Sequence, residues 1–165
     1  MNDYLAFPLI LYYPFLAFVL LIMALVLVPG ERMRRLFLES LLFGFVLSLF
    51  FAGTMHILGV FRYAHTGAFT FLGSPVWLNL TWSPAIMLYL HFQPPINKSF
   101  LFWSYLLSFS LLSAMLDNVL HGLGLLIYLH WSPAARYVVA AAWFYAASLA
   151  HERYFEPAHG STGDP

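Results

Sequence analysis

Residues 100–129, FLFWSYLLSFSLLSAMLDNVLHGLGLLIYL, form one long apolar run that contains a single carboxylate, Asp117. A bilayer core about 30 Å thick is crossed by about 20 helical residues, so this run is long enough to span a membrane with some tilt. A charge near the bilayer centre costs roughly 2.5–3.5 kcal/mol on insertion scales, so a buried acid here needs a partner, a proton or a function. Asp117 is therefore the first candidate for a functional residue.

The composition of the whole chain is typical of an integral membrane protein. Of its 165 residues, 62% are hydrophobic and 8% are charged, with a formal net charge of zero and a mean hydropathy of +0.79. A neutral, apolar chain is not expected to bind nucleic acid. The lack of cysteine excludes disulfides, thiolate nucleophiles and Cys-ligated metal sites. The first residues carry Asp3 but no Lys or Arg, so we expect the first apolar run to be retained.

Five transmembrane helices are predicted when proline-containing turns are used as boundaries. These boundaries are Pro29-Gly30, Ser74-Pro75, Pro94-Pro95 and Ser132-Pro133. The predicted fold class is all-α, a polytopic integral membrane protein that forms one helical domain over residues 1–156. A disordered cytoplasmic tail is expected at 157–165. The predicted spans are 5–28, 36–61, 75–93, 100–129 and 133–152.

The basic residues predict an orientation, because Lys and Arg favour cytoplasmic connections. We expect a multi-pass protein of the cell membrane with its N-terminus outside and its C-terminus in the cytoplasm. The connection at 62–74 is apolar and aromatic, so it is expected to lie in the outer interface or to fold back as a lid. The residues on the predicted cytoplasmic side are Arg32, Arg34, Arg35, Lys98 and Arg153, against Arg62 and Arg136 outside.

Polar and small residues of the second, third and fourth spans share inward faces. Small residues recur every fourth position over 40–52 and lead to His56, a pattern that lets another helix approach closely. Asp117 and His121 are one helical turn apart and are expected to be within reach of each other. A rise of about 1.5 Å per residue puts His56, His121 and Asn79 at one depth, roughly 10 Å outside the centre.

This polar cluster predicts a site that opens toward the outer leaflet, with Asp117 and His121 as an acid–base pair. Burial in an apolar environment favours the protonated carboxyl group, whereas an adjacent imidazolium opposes it, so the pair would bind a proton or a lipid-like ligand. Candidate ligands are an isoprenoid, a quinone or a phospholipid head group. The alternative is a satisfied polar cluster that only locks helix packing. The residues expected to contact or orient a ligand are His56, Asn79, Asn118 and Trp82.

Whether the protein is an enzyme is left open, since the chain contains no nucleophile elbow, zinc-protease motif, phosphate-binding loop or dinucleotide fingerprint. No cofactor is predicted outright. A second hypothesis is a di-haem b-type electron carrier, because axial histidines on separate helices at two depths are what such a cytochrome needs. The aromatic content of 19% argues against it, since it would crowd two porphyrins. The axial pairs would be His56 with His121 and His91 with His151.

A third hypothesis is a proton-coupled transporter or an accessory subunit of a membrane complex. Five helices are few for alternating access unless the protein oligomerises. The small-residue face at 40–52 suits a homodimer or a partner subunit, but packing within one chain is the preferred interpretation. Glu39 is expected to form an interfacial ion pair with Arg35, four residues earlier on the same helix.

Three features resemble small uncharacterised five-helix inner-membrane proteins of spore-forming bacteria. They are Trp82-Ser83-Pro84 in the third span, the single acid of the long fourth span, and HERY at 151–154. The resemblance covers the third to fifth helices, and the first two match no family. It implies a bacterial inner-membrane location and no known activity, so it assigns no catalytic residue.

Overall fold

The structure is a computed structural model that describes residues 8–67 and 69–155. Asp3, the start of the first predicted span and the predicted tail at 157–165 lie outside the described residues. The chain is mostly helical, as the sequence predicted. Its helices are α1 (Tyr12–Leu27, after a 3₁₀ turn at Leu9–Leu11), α2 (Gly30–Ser40), α3 (Leu47–Ile57), α4 (Val76–Phe92), α5 (Ser99–Gly122) and α6 (Pro133–Ala150).

Two π-helical turns interrupt or extend these helices. The first, Leu41–Val46, joins α2 to α3 without a break, so that one helical rod runs from Gly30 to Ile57. The second, His151–Phe155, continues α6. Within the described part of the chain, three helical segments are long and apolar enough to cross a membrane: Leu9–Leu27, Gly30–Ile57 and Ser99–Gly122.

The rod begins six residues earlier than the predicted second span. Pro29 is extended at the N-cap and Gly30 is the first helical residue, so the chain turns between α1 and α2 within two residues. Proline at this point fixes φ and lacks a donor that the helix start does not need. The basic residues at 32–35 are therefore helical rather than part of a loop.

The second and fourth spans were predicted to end at residues 61 and 129, but α3 ends at Ile57 and α5 ends at Gly122. Both early ends lie at the same end of the bundle. A glycine with positive φ stops each helix, Gly59 (φ 68°) after α3 and Gly124 (φ 74°) after α5. Each glycine N–H bonds three residues back, and the next residue bonds five residues back, the hydrogen-bond pattern of a Schellman motif. After each glycine the backbone becomes extended instead of continuing as a helix.

The extended segments form two short antiparallel strand pairs at this end of the bundle. β1 (Phe61–Tyr63) pairs with β4 (Leu126–Tyr128), and we call this pair the ribbon. β2 (Thr70–Phe71) pairs with β3 (Ser74–Pro75) around a turn at Leu72 and Gly73, both of which have positive φ, as a tight hairpin turn requires. The bundle is therefore mostly helical, as predicted, and carries two short strand pairs at one end that were not predicted.

α4 is the central helix, with α1 and the α2–α3 rod packed against it and α5 packed alongside α6. The two groups meet at Tyr89, which is fully buried and contacts the rings of Tyr105, Phe109 and Phe144 at centroid distances of 4.5–5.2 Å. At the ribbon end, Tyr13 of α1 directs its hydroxyl to two strand-end carbonyls. This arrangement leaves a space between α3, α4, α5 and α6 beside the ribbon.

Candidate functional site

A small, partly open cavity of about 50 Å³ lies between α3, α4, α5 and α6. A cavity of this size has room for a few water molecules or one small polar group. Its wall combines aromatic rings with polar side chains from all four helices. The polar lining residues are Ser48, Asn79, Ser113, Asp117 and Arg136, and the aromatic ones are Phe51, Phe61, Tyr63, Trp82, Trp143 and Phe144.

Asp117 is buried on the inner face of α5 and pairs with residues that lie just before and within α6. Its Oδ2 lies 3.5 Å from Nε of Arg136, and it accepts a long hydrogen bond of 3.4 Å from the indole N–H of Trp131. The Arg136 guanidinium also lies over the Trp82 ring, 4.8 Å from its centroid, a cation–π geometry. The acid is thus part of an ion pair at the cavity wall.

Arg136 is the functional candidate that the sequence argument missed. Its only predicted role was as one of the two positive charges on the outer side of the membrane. The sequence did contain a pattern that indicates its inward position. A helix that starts at Pro133 puts Arg136 on the same face as Ala140 and Phe144, one and two turns further along. Ala140 and Phe144 are both buried.

His121 has other partners than Asp117. Its Nδ1 lies 2.8 Å from the carbonyl oxygen of Leu126, and its ring stacks on Tyr128 at 4.1 Å. Among the described residues, the two proposed members of the acid–base pair share no hydrogen bond. They are one turn apart, but His121 is at the end of α5 and faces the ribbon, whereas Asp117 faces α6.

The predicted ligand-contacting residues divide into two groups. Asn79 and Trp82 line the cavity, although the Asn79 amide also donates to Ser74 Oγ at 2.7 Å and to the Pro75 carbonyl at 2.9 Å at the start of α4. His56 lies against Gly73 of the hairpin and Asn118 is exposed, and neither of them lines the cavity.

Two polar atoms at the cavity wall have unused hydrogen-bonding capacity. Ser113 Oγ and Arg136 Nε are both buried, and neither has a hydrogen-bond partner in the described part of the chain. Buried polar groups are almost always satisfied by protein or by an ordered molecule. The cavity therefore suits a polar occupant better than an apolar one.

Tyr63 adds a neutral polar group to the same wall. Burial raises the pKa of the Tyr63 phenol well above its usual range, and the charge of Asp117 raises it further. The phenol therefore stays protonated at neutral pH and retains a proton to donate.

A second polar cluster lies at the end of the bundle opposite the ribbon. Glu39 has no exposed surface, and its Oε2 lies 2.8 Å from Nδ1 of His151. The expected pairing of Glu39 with Arg35 is wrong, because the inward stripe of α2 runs through Leu36 and Glu39 while Arg35 is exposed. His151 also meets Arg32, whose terminal nitrogen lies 3.4 Å from Nε2.

The four histidines of the di-haem hypothesis are therefore in different settings. His56 faces the hairpin, His121 the ribbon and His151 the Glu39 carboxylate, while His91 is half-buried and its Nδ1 has no hydrogen-bond partner among the described residues. Over residues 8–67 and 69–155, no three His, Asp or Glu side chains converge as they would around a metal ion. The haem pairing stays a prediction.

The chain was compared with protein-family models, curated proteins and solved structures, and none of them matches. The resemblance to proteins of spore-forming bacteria therefore stays a prediction.

Proposed function

We propose that this is a polytopic membrane protein whose cavity binds the small polar head of a lipid-like ligand beside the Asp117–Arg136 ion pair. The observation that carries the proposal is that Ser113 Oγ and Arg136 Nε are buried at the wall of a polar and aromatic cavity without a hydrogen-bond partner among the described residues. The membrane location supplies the class of ligand, since molecules dissolved in a bilayer are the ones that meet such a cavity.

The distribution of polarity on α5 supports the membrane location. Its buried residues include Ser110, Ser113 and Asp117, whereas Leu112 and Met115 are 65% and 60% exposed. Soluble proteins rarely leave large contiguous apolar surfaces exposed to water. Polar side chains inside and apolar side chains outside are what a helix surrounded by lipid requires.

The site chemistry supports a neutral oxygen-bearing head group. Asp117 already balances the charge of Arg136, so a fully ionic ligand would bring an excess charge into the interior. Arg136 Nε faces Asp117 at 3.5 Å without a hydrogen bond to it, and the Ser113 hydroxyl has no partner among the described residues, so both can donate to a hydroxyl or carbonyl oxygen in the cavity. The cavity volume admits only this head, and the apolar remainder of the ligand stays in the bilayer.

Lipid analysis of purified protein tests the proposal. The wild type in mild detergent is extracted and analysed by mass spectrometry beside Arg136→Gln and Ser113→Ala. The matched controls are Arg62→Gln, an exposed arginine of the ribbon, and Ser108→Ala, whose hydroxyl bonds within its own helix. We expect one lipid-like molecule to be enriched in the wild type and both controls and to be lost from both site variants.

The same extract profile in all five proteins would contradict the proposal. The cavity would then hold water, and the Asp117–Arg136 ion pair would only lock the packing of the helices. Recovery of the protein in the soluble fraction of cells would contradict the membrane location independently of any ligand.

A further inference from the structure

We propose that an apolar groove between α1 and the rod binds one acyl chain of an anionic phospholipid, whose phosphate pairs with Arg34. The groove has a volume of about 240 Å³. Of the proposed function, this inference uses only the membrane location. The walls of the groove include Phe18 and Leu21 of α1 and Phe37 and Leu41 of the rod, and its floor includes Leu80 and Pro84 of α4.

The groove and the cavity around Asp117 lie on opposite faces of α4. Leu80 and Pro84 are one turn apart and line the groove, whereas Trp82 and Ile86 line the cavity. A shift of two residues along a helix turns a side chain by about 200°, so the two pairs point in nearly opposite directions. An occupant of the groove is therefore separated by α4 from the Asp117–Arg136 ion pair.

The chemistry of the groove suits a hydrocarbon chain. Phe18, Leu21 and Phe37 are exposed, whereas Pro84 on the floor is buried, so the groove opens on the outer surface of the bundle. An apolar cavity of about 150 Å³ can already bind a benzene-sized molecule. The floor extends over residues 77–84, about 10 Å at the helical rise. In a bilayer, the molecule that meets such an elongated apolar groove is a lipid acyl chain.

Arg34 lies where this groove approaches the edge of the bilayer. It precedes Phe37 by three residues and Leu41 by seven, so the three side chains share one face of the rod. The rod has 28 residues and is about 42 Å long, whereas the hydrocarbon core is about 30 Å thick. The first residues of the rod therefore reach the head groups, where the exposed Arg34 meets lipid phosphates.

The charge at this end favours an anionic lipid over a zwitterionic one. A guanidinium group binds phosphate oxygens through paired hydrogen bonds. In a zwitterionic lipid, the ammonium of the head group competes for the same phosphate. Arg32 and Arg35 are in the same two turns of the rod and add to the positive potential that attracts anionic lipids.

Arg35 provides the matched control for Arg34. It is also exposed, but it is turned by about 100° around the helix, on the side away from Phe37. The two arginines therefore contribute the same charge at nearly the same depth, and only Arg34 lies on the face of the groove.

Native mass spectrometry of the full protein in detergent tests the head-group contact. The added probes are phosphatidylglycerol and phosphatidylcholine with the same acyl chains. The wild type should retain phosphatidylglycerol in preference to phosphatidylcholine. Arg34→Gln should weaken phosphatidylglycerol binding about fivefold, the effect of one basic residue near a membrane surface, and Arg35→Gln should leave it close to the wild type.

Filling the groove tests the position of the acyl chain. Ala17 is half-buried in the lining, so Ala17→Trp should block the groove and abolish the preferential binding. Ala142→Trp, the same change at an exposed position of α6, should not. Arg136→Gln should also retain phosphatidylglycerol, because it alters only the cavity, so failure of the proposed function is distinguishable from failure of this one.

Three results would overturn the proposal: equal retention of the two lipids by the wild type, equal effects of Arg34→Gln and Arg35→Gln, or unchanged binding in Ala17→Trp. A dimer that Ala17→Trp dissociates would also overturn it, because a second copy of the chain would then cover the groove. If Ala17→Trp does not fold, the comparison of Arg34→Gln with Arg35→Gln decides.

Discussion

Gly44 lies directly against the backbone of Ser83, so closely that a Cβ on Gly44 would overlap the Ser83 α-carbon. Gly44 is part of the π-helical turn between α2 and α3, and Ser83 precedes Pro84 in α4. Small residues allow two helices to approach to backbone contact. The small-residue face at 40–52 is therefore used for packing within one chain, which was the preferred interpretation of its sequence.

Gly44→Ala should destabilise the protein because rigid backbone, and not a flexible side chain, opposes the added methyl group. Overpacking of this kind costs about 1–3 kcal/mol. Thermal unfolding in detergent, followed by circular dichroism, measures the change. Gly122→Ala is the matched control, since nothing lies within 4 Å of its Cβ position, and alanine there should be neutral or slightly stabilising. Equal effects of the two substitutions would show that the close approach at Gly44 does not matter.

Tyr13→Phe should loosen the ribbon end. The Tyr13 hydroxyl lies 2.6 Å from the Ala64 carbonyl and 2.9 Å from the Leu125 carbonyl, so one side chain of α1 connects the ends of both strands. Phenylalanine removes this donor from the Ala64 carbonyl, at a cost of about 1–3 kcal/mol where that carbonyl stays buried, whereas the Leu125 carbonyl still accepts from the Ala64 amide. Hydrogen exchange of the ribbon amides should increase, and it should remain unchanged in Tyr145→Phe, which alters an exposed tyrosine of α6.

Helix starts and apolar runs were predictable because their signals are local. Ser132 accepts a hydrogen bond from the Ala135 amide at 3.1 Å and Pro133 begins α6, as the Ser-Pro pattern indicated. The ribbon was not predictable in this way, because short apolar runs do not distinguish a strand from a buried helix. Only Gly59 and Gly124, each two residues before a strand, marked the change.

The site was only partly predictable because its partners are tertiary. Helical spacing correctly put Asp117 on an inward face, but it offered His121 as the partner, since that residue is nearest along the helix. Arg136 and Trp131 reach Asp117 across a turn and the start of another helix, which no local pattern shows. Glu39 and His151 are similarly separated in sequence, and their pairing depends on how α6 ends beside α2.

Cysteine labelling should establish the orientation, and the chain suits it because it has no cysteine of its own. We expect Arg62→Cys, at the ribbon, to react with a membrane-impermeant maleimide in intact cells. Lys98→Cys, in the connection between α4 and α5, should react only after permeabilisation. The reverse pattern would invert the orientation, and labelling of both from outside would contradict an odd number of crossings between them.

Purification with haem available during expression should give a colourless protein. A haem needs two free imidazole nitrogens facing a common space, yet His121 stacks on Tyr128 and His56 lies against Gly73. A visible spectrum before and after dithionite reduction provides the measurement. Sharp bands in the reduced protein that disappear in His56→Ala or His121→Ala would establish the electron-carrier hypothesis instead.

A double-mutant cycle on Asp117 and Arg136 should measure the coupling free energy between the two charges. Asp117→Asn leaves a guanidinium against Trp82 without its counter-ion, and Arg136→Leu leaves a carboxylate in a side chain that is only 11% exposed. Removing one partner of a buried pair commonly costs about 3–5 kcal/mol, whereas replacing both is often tolerated.

The double variant should therefore be more stable than the sum of the single losses predicts, with a coupling energy of about 1–3 kcal/mol from reversible unfolding in detergent. Asp117→Asn combined with Glu152→Gln, a carboxylate at the opposite end of the bundle, should be additive and serves as the control. Additivity in the Asp117–Arg136 cycle would mean that solvent or a bound group already satisfies each charge separately. The ion pair would then not hold α5 and α6 together, and the cavity would be more open to water than its lining indicates.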